Sequence, residues 1–469
     1  MSRLDLVISG GTVVGPGWVA ETDIGVSGEK IVHVGSLASA SAEKIVDARG
    51  KIVIPGGIDP HTHYELYFMG AKPKETWDIG TIASAIGGTT TTIDFAPQEK
   101  GESLLAATKK QMERAGQLSV IDFTTKPIIS DFSDMGRVMR GMKETMEYGV
   151  PGFKVFMIYR HQGWMADDWI LFQVMRRAKE LGGIVTIHAE NGFIGEGMQE
   201  EFVRDGKVEP RYHGQAKPNL VENLAIQMAM NIAEITGART YIVHQSTREG
   251  HEIVAQYRLR GLPVFVETCP HYLVLTDETF DPPERGIYYM CSPPLRKKED
   301  IEALWSGLTV GKIQTVGSDH VAFTKSQKEE FAGVFTKIPN GFPGSEVRVP
   351  IIFYEGVIRR GMSLARFVDV VSTNAAKIFG LYPRKGVIAP GSDADLVLID
   401  PNREHSLNAE NLHMGTDLSV YEGMSIKGWP SMTILRGQII VENEQFLGKP
   451  GIGKFVKAQI DEQILHSAR

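Results

Sequence analysis

The segment Ile52-Val53-Ile54-Pro55-Gly56-Gly57-Ile58-Asp59-Pro60-His61-Thr62-His63 sets how this chain is organised. A β-branched apolar run meets a Pro-Gly-Gly break, and a short strand follows that ends in two histidines one residue apart. Residues i and i+2 of a strand face the same way, so His61 and His63 present two imidazoles side by side, in an arrangement a metal ion could use. Taken alone, a His-x-His is equally well two ordinary core or surface histidines. The rest of the chain has to choose.

Upstream, residues 1–54 read as short strands at Leu4–Ile8, Thr12–Val14, Asp23–Ser27, Lys30–Val34 and Lys51–Ile54, punctuated by Gly, Pro and Ser. Gly28-Glu29 forms a hairpin turn before Lys30. Downstream of Pro55 the pattern changes to β-rich segments alternating with helical ones, the signature of a parallel sheet. Candidate strands are Gly57–His63, Thr90–Phe95, Val120–Thr125, Phe153–Ile158, Ile184–Ala189, Thr240–His244, Val264–Glu267 and Gln314–Asp319. Between them lie helical stretches such as Asp168–Leu181, Leu220–Thr236, Arg248–Arg260 and Lys298–Leu308. Eight alternations over roughly 260 residues fit an α/β fold of the (β/α)8 TIM-like barrel type. A doubly wound open sheet would want a glycine-rich phosphate turn after its first strand, and the sequence has none.

After a helix near Ser363–Leu381, strand-like sequence returns at Gly386–Asp400, Met432–Arg436 and Gln438–Val441. The expectation is a barrel over residues 55–381, with 1–54 and 382–448 meeting in one small β domain beside it. Residues 449–469 read as a polar tail with an amphipathic stretch.

Bulk properties narrow the function class. The chain has 469 residues, 42% hydrophobic and 23% charged, with a net charge of −7 and a pI near 6.0. That balance argues against nucleic-acid or anionic-membrane partners. No apolar run approaches the ~18 residues of a membrane span. Asp5 and two glycines interrupt the start where a signal peptide would be continuously apolar. Two cysteines, Cys269 and Cys291, make no disulfide framework. The expected location is the cytoplasm.

Barrel enzymes place their chemistry at the C-terminal ends of the strands. His61 and His63 end the first candidate strand, His188 and His244 end two others, and Asp319 ends the last. With 13 histidines in the chain, four on one rim beside an aspartate point to a site. Lys154 interrupts an otherwise apolar strand, so its ammonium must be paired, neutral, modified or snorkelled to the mouth. A carbamate formed with carbon dioxide makes it a carboxylate-like bridge, which suits a neighbour of two cations. Four histidines, one carboxylate and a bridging anion match a pair of Zn²⁺-like ions sharing a hydroxide, which hydrolyses amides, imides or esters. Asp319 is placed to take and return a proton.

Competing features are weaker. Cys269-Pro270-His271 is adjacent in sequence but makes no dyad by adjacency alone. His161, His213, His251, His271 and His320 read as loop or helix-surface residues, with His271 and His320 near enough to strand ends to reach a pocket. The run Arg296-Lys297-Lys298-Glu299-Asp300 reads as a solvated helix start.

Pro55–His63, Gly87-Gly88-Thr89-Thr90-Thr91, Phe153–Met157, His188-Ala189-Glu190-Asn191, Glu267–Pro270, Ser292–Arg296, Gly317–His320, Ile338–Gly341 and Gly391–Val397 together closely resemble the dihydropyrimidinase/D-hydantoinase branch of the amidohydrolase superfamily, along essentially the whole chain. The resemblance implies a barrel with a flanking β-sandwich built from both termini. It implies two Zn²⁺ ions and a carbamate (N6-carboxylysine) on Lys154. His61 and His63 would hold one ion, His188 and His244 the other, with Lys154 bridging and Asp319 completing the first site. Tyr159 would stabilise the oxyanion, and backbone groups at Ser292 and Asn340 would hold the ring's amide edge. The implied reaction opens a cyclic ureide, a hydantoin or dihydropyrimidine, to an N-carbamoyl amino acid. The implied assembly is a homotetramer, with residues 449–469 as a contact. Tyr64-Glu65-Leu66-Tyr67-Phe68 departs from many relatives and leaves the exocyclic substituent open, with Phe156 and Trp164 as further wall candidates. Glu65 stands where dihydroorotases use an arginine. An allantoinase-like enzyme and a non-catalytic scaffold are the alternatives; the complete ligand set speaks against the scaffold.

Overall fold

The computed structural model describes residues 3–37 and 41–468. The chain changes sheets at the Pro-Gly-Gly break: Ile52–Pro55 pairs in one sheet and Gly57–Thr62 in another. Glycine is required at the crossing, because a Cβ on Gly56 would lie 2.0 Å from Thr90 Oγ1.

The second sheet is an eight-stranded parallel barrel: β1 (Gly57–Thr62), β2 (Thr89–Pro97), β3 (Asp122–Ile128), β4 (Gly152–Phe156), β5 (Ile184–His188), β6 (Arg239–Ile242), β7 (Val264–Thr268) and β8 (Thr315–Val316). Every residue of β1 and of β4 to β8 is buried. Strands covered on both faces read as continuous apolar runs, which is why these segments lack alternation. The expected last strand, Gln314–Asp319, contracts to two residues. Gly317 N–H still donates to the Thr268 carbonyl of β7 at 3.0 Å, but Ser318 turns toward β1, donating its N–H to Asp59 (3.1 Å) and its hydroxyl to the His61 carbonyl (3.1 Å). A parallel bridge between Thr62 and His320 joins this end to β1.

The helices form where the apolar spacing indicates. Asp168–Leu181 is capped by the Asp167 carboxylate, which accepts from Ile170 N–H, and ends at Gly182 with φ 75°. The helix expected near Leu220 spans Asn219–Thr236.

Both termini build the first sheet, nine-stranded and mixed. Ile52–Pro55 is its seam, pairing parallel with Leu4–Gly15 and antiparallel with Leu396–Ser406. Leu6, Ile8, Ile24, Val53, Leu396 and Ile434 share one buried cluster, so neither terminus has a core alone. Leu4–Gly15 merges two expected strands through a register shift between Ile8 and Gly11, and Ala42–Asp47 adds a strand that no clear alternation marks in the sequence. The fold is the expected TIM-like barrel with a flanking β-sandwich.

The C-terminal tail packs into its own barrel. Val456, Leu465 and Ala468 join Ile58, Ile184 and Phe265 in one cluster, and Arg239 pairs with Glu462 at 2.8 Å. Two surface readings are corrected. His213, His251, His271 and His320 are buried, leaving His161 as the exposed one of that group. Arg296 and Asp300 are also buried: Arg296 pairs with Glu222 at 3.0 Å and donates to the Lys217 carbonyl, while Lys297–Glu299 stay solvated. No helix among the described residues is long and apolar enough to cross a membrane.

Candidate metal centre

The strand ends bring all the expected donors to one cavity. His61 lies in β1 and His63 just beyond it; Lys154 lies in β4 and His188 ends β5. His244 follows β6 by two residues, and Asp319 follows β8 by three. These six line the cavity together with Tyr159, Ser292 and Asn340. His61 Nε2 and His63 Nε2 lie 3.0 and 3.2 Å from the Asp319 carboxylate and 3.2 Å from each other. The His188 and His244 rings are 4.3 Å apart, and the His61 and His244 rings 5.3 Å.

Neighbouring carboxylates set the histidine orientations. Glu267 Oε1 lies 2.6 Å from His61 Nδ1 and also accepts the His244 N–H at 3.0 Å, while Tyr241 donates to its other oxygen. Glu190 Oε2 lies 2.6 Å from His188 Nε2 and accepts from the Ser292 hydroxyl at 2.6 Å. A carboxylate on one ring nitrogen leaves the other nitrogen's lone pair for a cation. Sequence reasoning misses this role for Glu190 and Glu267. Their one signal is position, Glu190 two residues after His188 and Glu267 at a candidate strand end.

The electrostatics call for positive charge. Burial holds His63 and His188 down at about 4 and His244 well below its ordinary value, so three imidazoles are neutral donors. Burial opposes ionisation of Asp319, yet the facing histidines, His61 foremost, hold it well below the usual carboxylate range. His61 is raised against burial by Glu267 and Asp319. Burial lowers Lys154 to about 7; its amine stands 4.8 Å from the Phe156 ring and 5.0 Å from Phe95. His63 Nδ1, His244 Nδ1 and Asn340 Oδ1 are buried without a hydrogen-bond partner.

Tyr159, His244 and Asp319 adopt φ of 69°, 37° and 50°. Left-handed backbone costs an L-residue about 1–2 kcal/mol. Such conformers persist where the surroundings over-determine them, characteristically at functional sites.

Beside the donors stands an apolar wall of Leu66, Phe68, Phe156, Trp164 and Val321. Of the stretch Tyr64–Phe68, only Leu66 and Phe68 face the cavity. Tyr64 is buried with its hydroxyl 2.7 Å from Ser84, Tyr67 is exposed, and Glu65 pairs with Arg114 at 2.9 Å. Burial pushes both thiols up, Cys291 to about 12 and away from the thiolate form, and His271 has no hydrogen-bond partner on either ring nitrogen, so Cys269-Pro270-His271 forms no hydrogen-bonded dyad.

The model of the amidohydrolase family matches residues 52–440. The chain belongs to the amidohydrolase family. It is 42% identical to the D-hydantoinase of Geobacillus stearothermophilus over 454 residues, covering 96% of each chain. It is 40% identical to that of Ralstonia pickettii, covering 97% of this chain and 99% of the other. Among solved structures, the dihydropyrimidinase from Brevibacillus agri NCHU1002 matches with a TM-score of 0.93 at 41% identity, covering 97% and 98%. An L-hydantoinase from Arthrobacter aurescens matches with 0.90 at 29%, covering 97% and 100%.

The donor set of this amidohydrolase fits a metal centre. Donor atoms of His61, His244 and Asp319 lie within 4.8 Å of one another. With His61 Nδ1 engaged by Glu267, Nε2 faces the Asp319 carboxylate at 3.0 Å, and a cation seated between them would take the place of the proton those two carboxylates hold on the ring.

Proposed function

We propose that this amidohydrolase hydrolytically opens cyclic ureides, 5-substituted hydantoins or dihydropyrimidines, to N-carbamoyl amino acids. The observation that carries the reading is the convergence of His61, His63 and Asp319 within 3.2 Å at the floor of a cavity that also holds His188, His244, Lys154 and Tyr159. His61, His63 and Asp319 would hold one Zn²⁺, His188 and His244 a second, and Lys154 both, as its carbamate. Two such ions, when bound, supply Lewis-acid polarisation and a water of lowered pKa.

The lysine supports this assignment. Carbamate formation needs a neutral amine to attack carbon dioxide and shed a proton, and at about 7 a large share of Lys154 is neutral at physiological pH. Asp319 accepts the proton of the attacking water and returns it to the leaving nitrogen. The Tyr159 hydroxyl donates to the substrate carbonyl as negative charge grows on its oxygen. Ser292 and Asn340 hold the ring's amide edge, and the unpartnered Asn340 Oδ1 offers an additional acceptor. Leu66, Phe68, Phe156 and Trp164 take an apolar exocyclic substituent, which favours substituted hydantoins over allantoin with its polar ureido group. We place the enzyme in the cytoplasm as a homotetramer, a reading supported by the family likeness and by two free, buried thiols.

The test is metal analysis together with ring-opening rates on dihydrouracil, 5-substituted hydantoins and allantoin. Two metals per chain and fastest turnover of apolar 5-substituted hydantoins are expected. A folded, metal-replete protein that opens none of the three classes overturns the proposal.

A further inference from the structure

Tyr159 reaches the cavity from an unusual backbone turn. Its φ of 69° lies in the left-handed region, which its residue type does not favour. Both sides of the residue are tied. The Tyr159 carbonyl accepts from Trp164 N–H at 3.1 Å, and the Tyr159 N–H donates to Glu196 Oε1 at 3.1 Å. The next amide, Arg160 N–H, lies 3.2 and 3.1 Å from the two oxygens of the same carboxylate. Two successive N–H groups thus close on one anion, the concave backbone arrangement that binds negative charge.

Glu196 is only 6% exposed, and it arrives from a structurally determined direction. It lies in the helix Gly192–Arg204, which begins four residues after His188. That helix starts hard against the backbone leading to Tyr159. Gly192 N–H donates to the Met157 carbonyl at 2.9 Å, and a Cβ on Gly192 would stand 3.0 Å from both Met157 O and Ile158 Cα. The segment that supplies His188 therefore also carries the group that fastens the Tyr159 turn. The phenol ring ends 5.4 Å from the His188 ring and 5.1 Å from Phe68.

We infer that Glu196 is a positioning residue for the hydrolysis: by accepting both amides it holds the left-handed turn at Tyr159 and so keeps the phenol directed at the substrate carbonyl. The inference rests on the role proposed above for Tyr159. Without the carboxylate, φ relaxes toward the ordinary negative region and Cβ swings with it. The 3.6 Å approach of Arg160 Nε to Glu196 gives the competing account, in which the carboxylate serves only as a counter-charge.

The experiment is steady-state kinetics on a 5-substituted hydantoin for Tyr159→Phe, Glu196→Ala, Glu196→Gln and the double variant Glu196→Ala/Tyr159→Phe, with metal content and melting temperature measured for each. Tyr159→Phe is expected to lower kcat by about 10²–10³-fold. Glu196→Ala should lower kcat about ten- to a hundred-fold, with metal content kept. Glu196→Gln should fall between wild type and Glu196→Ala, because an amide oxygen at the Oε1 position still accepts both N–H groups while the –NH2 at the other position no longer accepts from Arg160. The double variant should be no slower than Tyr159→Phe, since both changes remove one interaction. Wild-type kcat in Glu196→Ala, additive losses in the double variant, or a Gln variant as slow as Ala each overturn the inference. A fully active Tyr159→Phe overturns the assignment of Tyr159 itself, and the inference with it. If Glu196→Ala does not fold, Glu196→Asp, one methylene short of the amides, replaces it with the same expected non-additivity.

Discussion

Two buried clusters of ionisable side chains sit at opposite ends of the barrel strands, and opposite rules govern them. At the start of β3, Asp122 meets Asp393 and Asp395 of the sandwich. Lys385 Nζ lies 2.5 Å from Asp122, 2.9 Å from Asp393 and 2.5 Å from Asp395, and Arg436 pairs with Asp122. Lys30 and Arg384 complete Asp393 from the outside, at 2.7 and 2.9 Å. Here the protein supplies its own counter-charges. At the mouth, four histidines and Asp319 converge with orphaned ring nitrogens, three of the imidazoles are held neutral by burial, and the nearby lysine is lowered to about 7, so His61, raised by Glu267 and Asp319, is the counter-charge facing Asp319. Three clustered aspartates look as metal-like as the histidines by residue type. What separates them is how far the fold has already answered the charge. The answered cluster joins barrel to sandwich, and the less answered one is open to a ligand.

That contrast can be broken most directly at Lys154. Lys154→Ala is expected to lose bound metal and turnover together, with partial rescue by short carboxylates such as acetate or propionate, as read by metal analysis and hydantoin kinetics. Two retained metals and full activity would refute the bridge. The matching change at the other end is Lys385→Met. Removing one partner of a buried ionic cluster costs about 3–5 kcal/mol of folding stability. Denaturant unfolding should show that loss, while the folded variant keeps its metal and its kcat. Loss of metal in Lys385→Met would erase the distinction.

The smallest effect is a difference in pH window. Burial lowers His213 to about 3, so between 6.5 and about 3 the unfolded chain binds the extra proton and stability falls as pH falls. Asp393 is lowered to about 2: burial opposes the shift, but Lys385 outweighs it, so its contribution is complete above 3.8 and disappears as pH falls through about 2. His213→Gln should therefore flatten the upper window, by at most about 1.4 kcal/mol per pH unit, and leave the lower one unchanged. Unfolding free energies measured across both windows check this; an unchanged slope above pH 4 would contradict it.

Much of the candidate site is legible in the sequence because its candidate donors sit at strand ends, and strand ends are local features. His61, His63, His188, His244 and Asp319 each close a recognisable β segment. Lys154 stands out because a charged residue in an apolar strand has no local excuse. The orienting carboxylates are harder to see. Glu267 meets His61 across 206 positions of sequence, and no periodicity marks that contact. Arg296 resembles part of a solvated run because its partner Glu222 lies 74 residues away. His213 and His320 look peripheral for the same reason: each is buried by elements distant in the chain.

The alternation of strands and helices, the sheet change at Pro55-Gly56-Gly57 and the chemical types of the donors are all written into the sequence, because periodicity, glycine punctuation and residue chemistry act over a few positions. Which charged groups the protein neutralises with its own side chains, and which it leaves for a ligand, emerges only in three dimensions, because that balance depends on distances between residues far apart in the chain. On the strand alone, His61 and His63 are two imidazoles on one face. The fold makes them a site by adding Glu267 behind one of them and Asp319 in front of both.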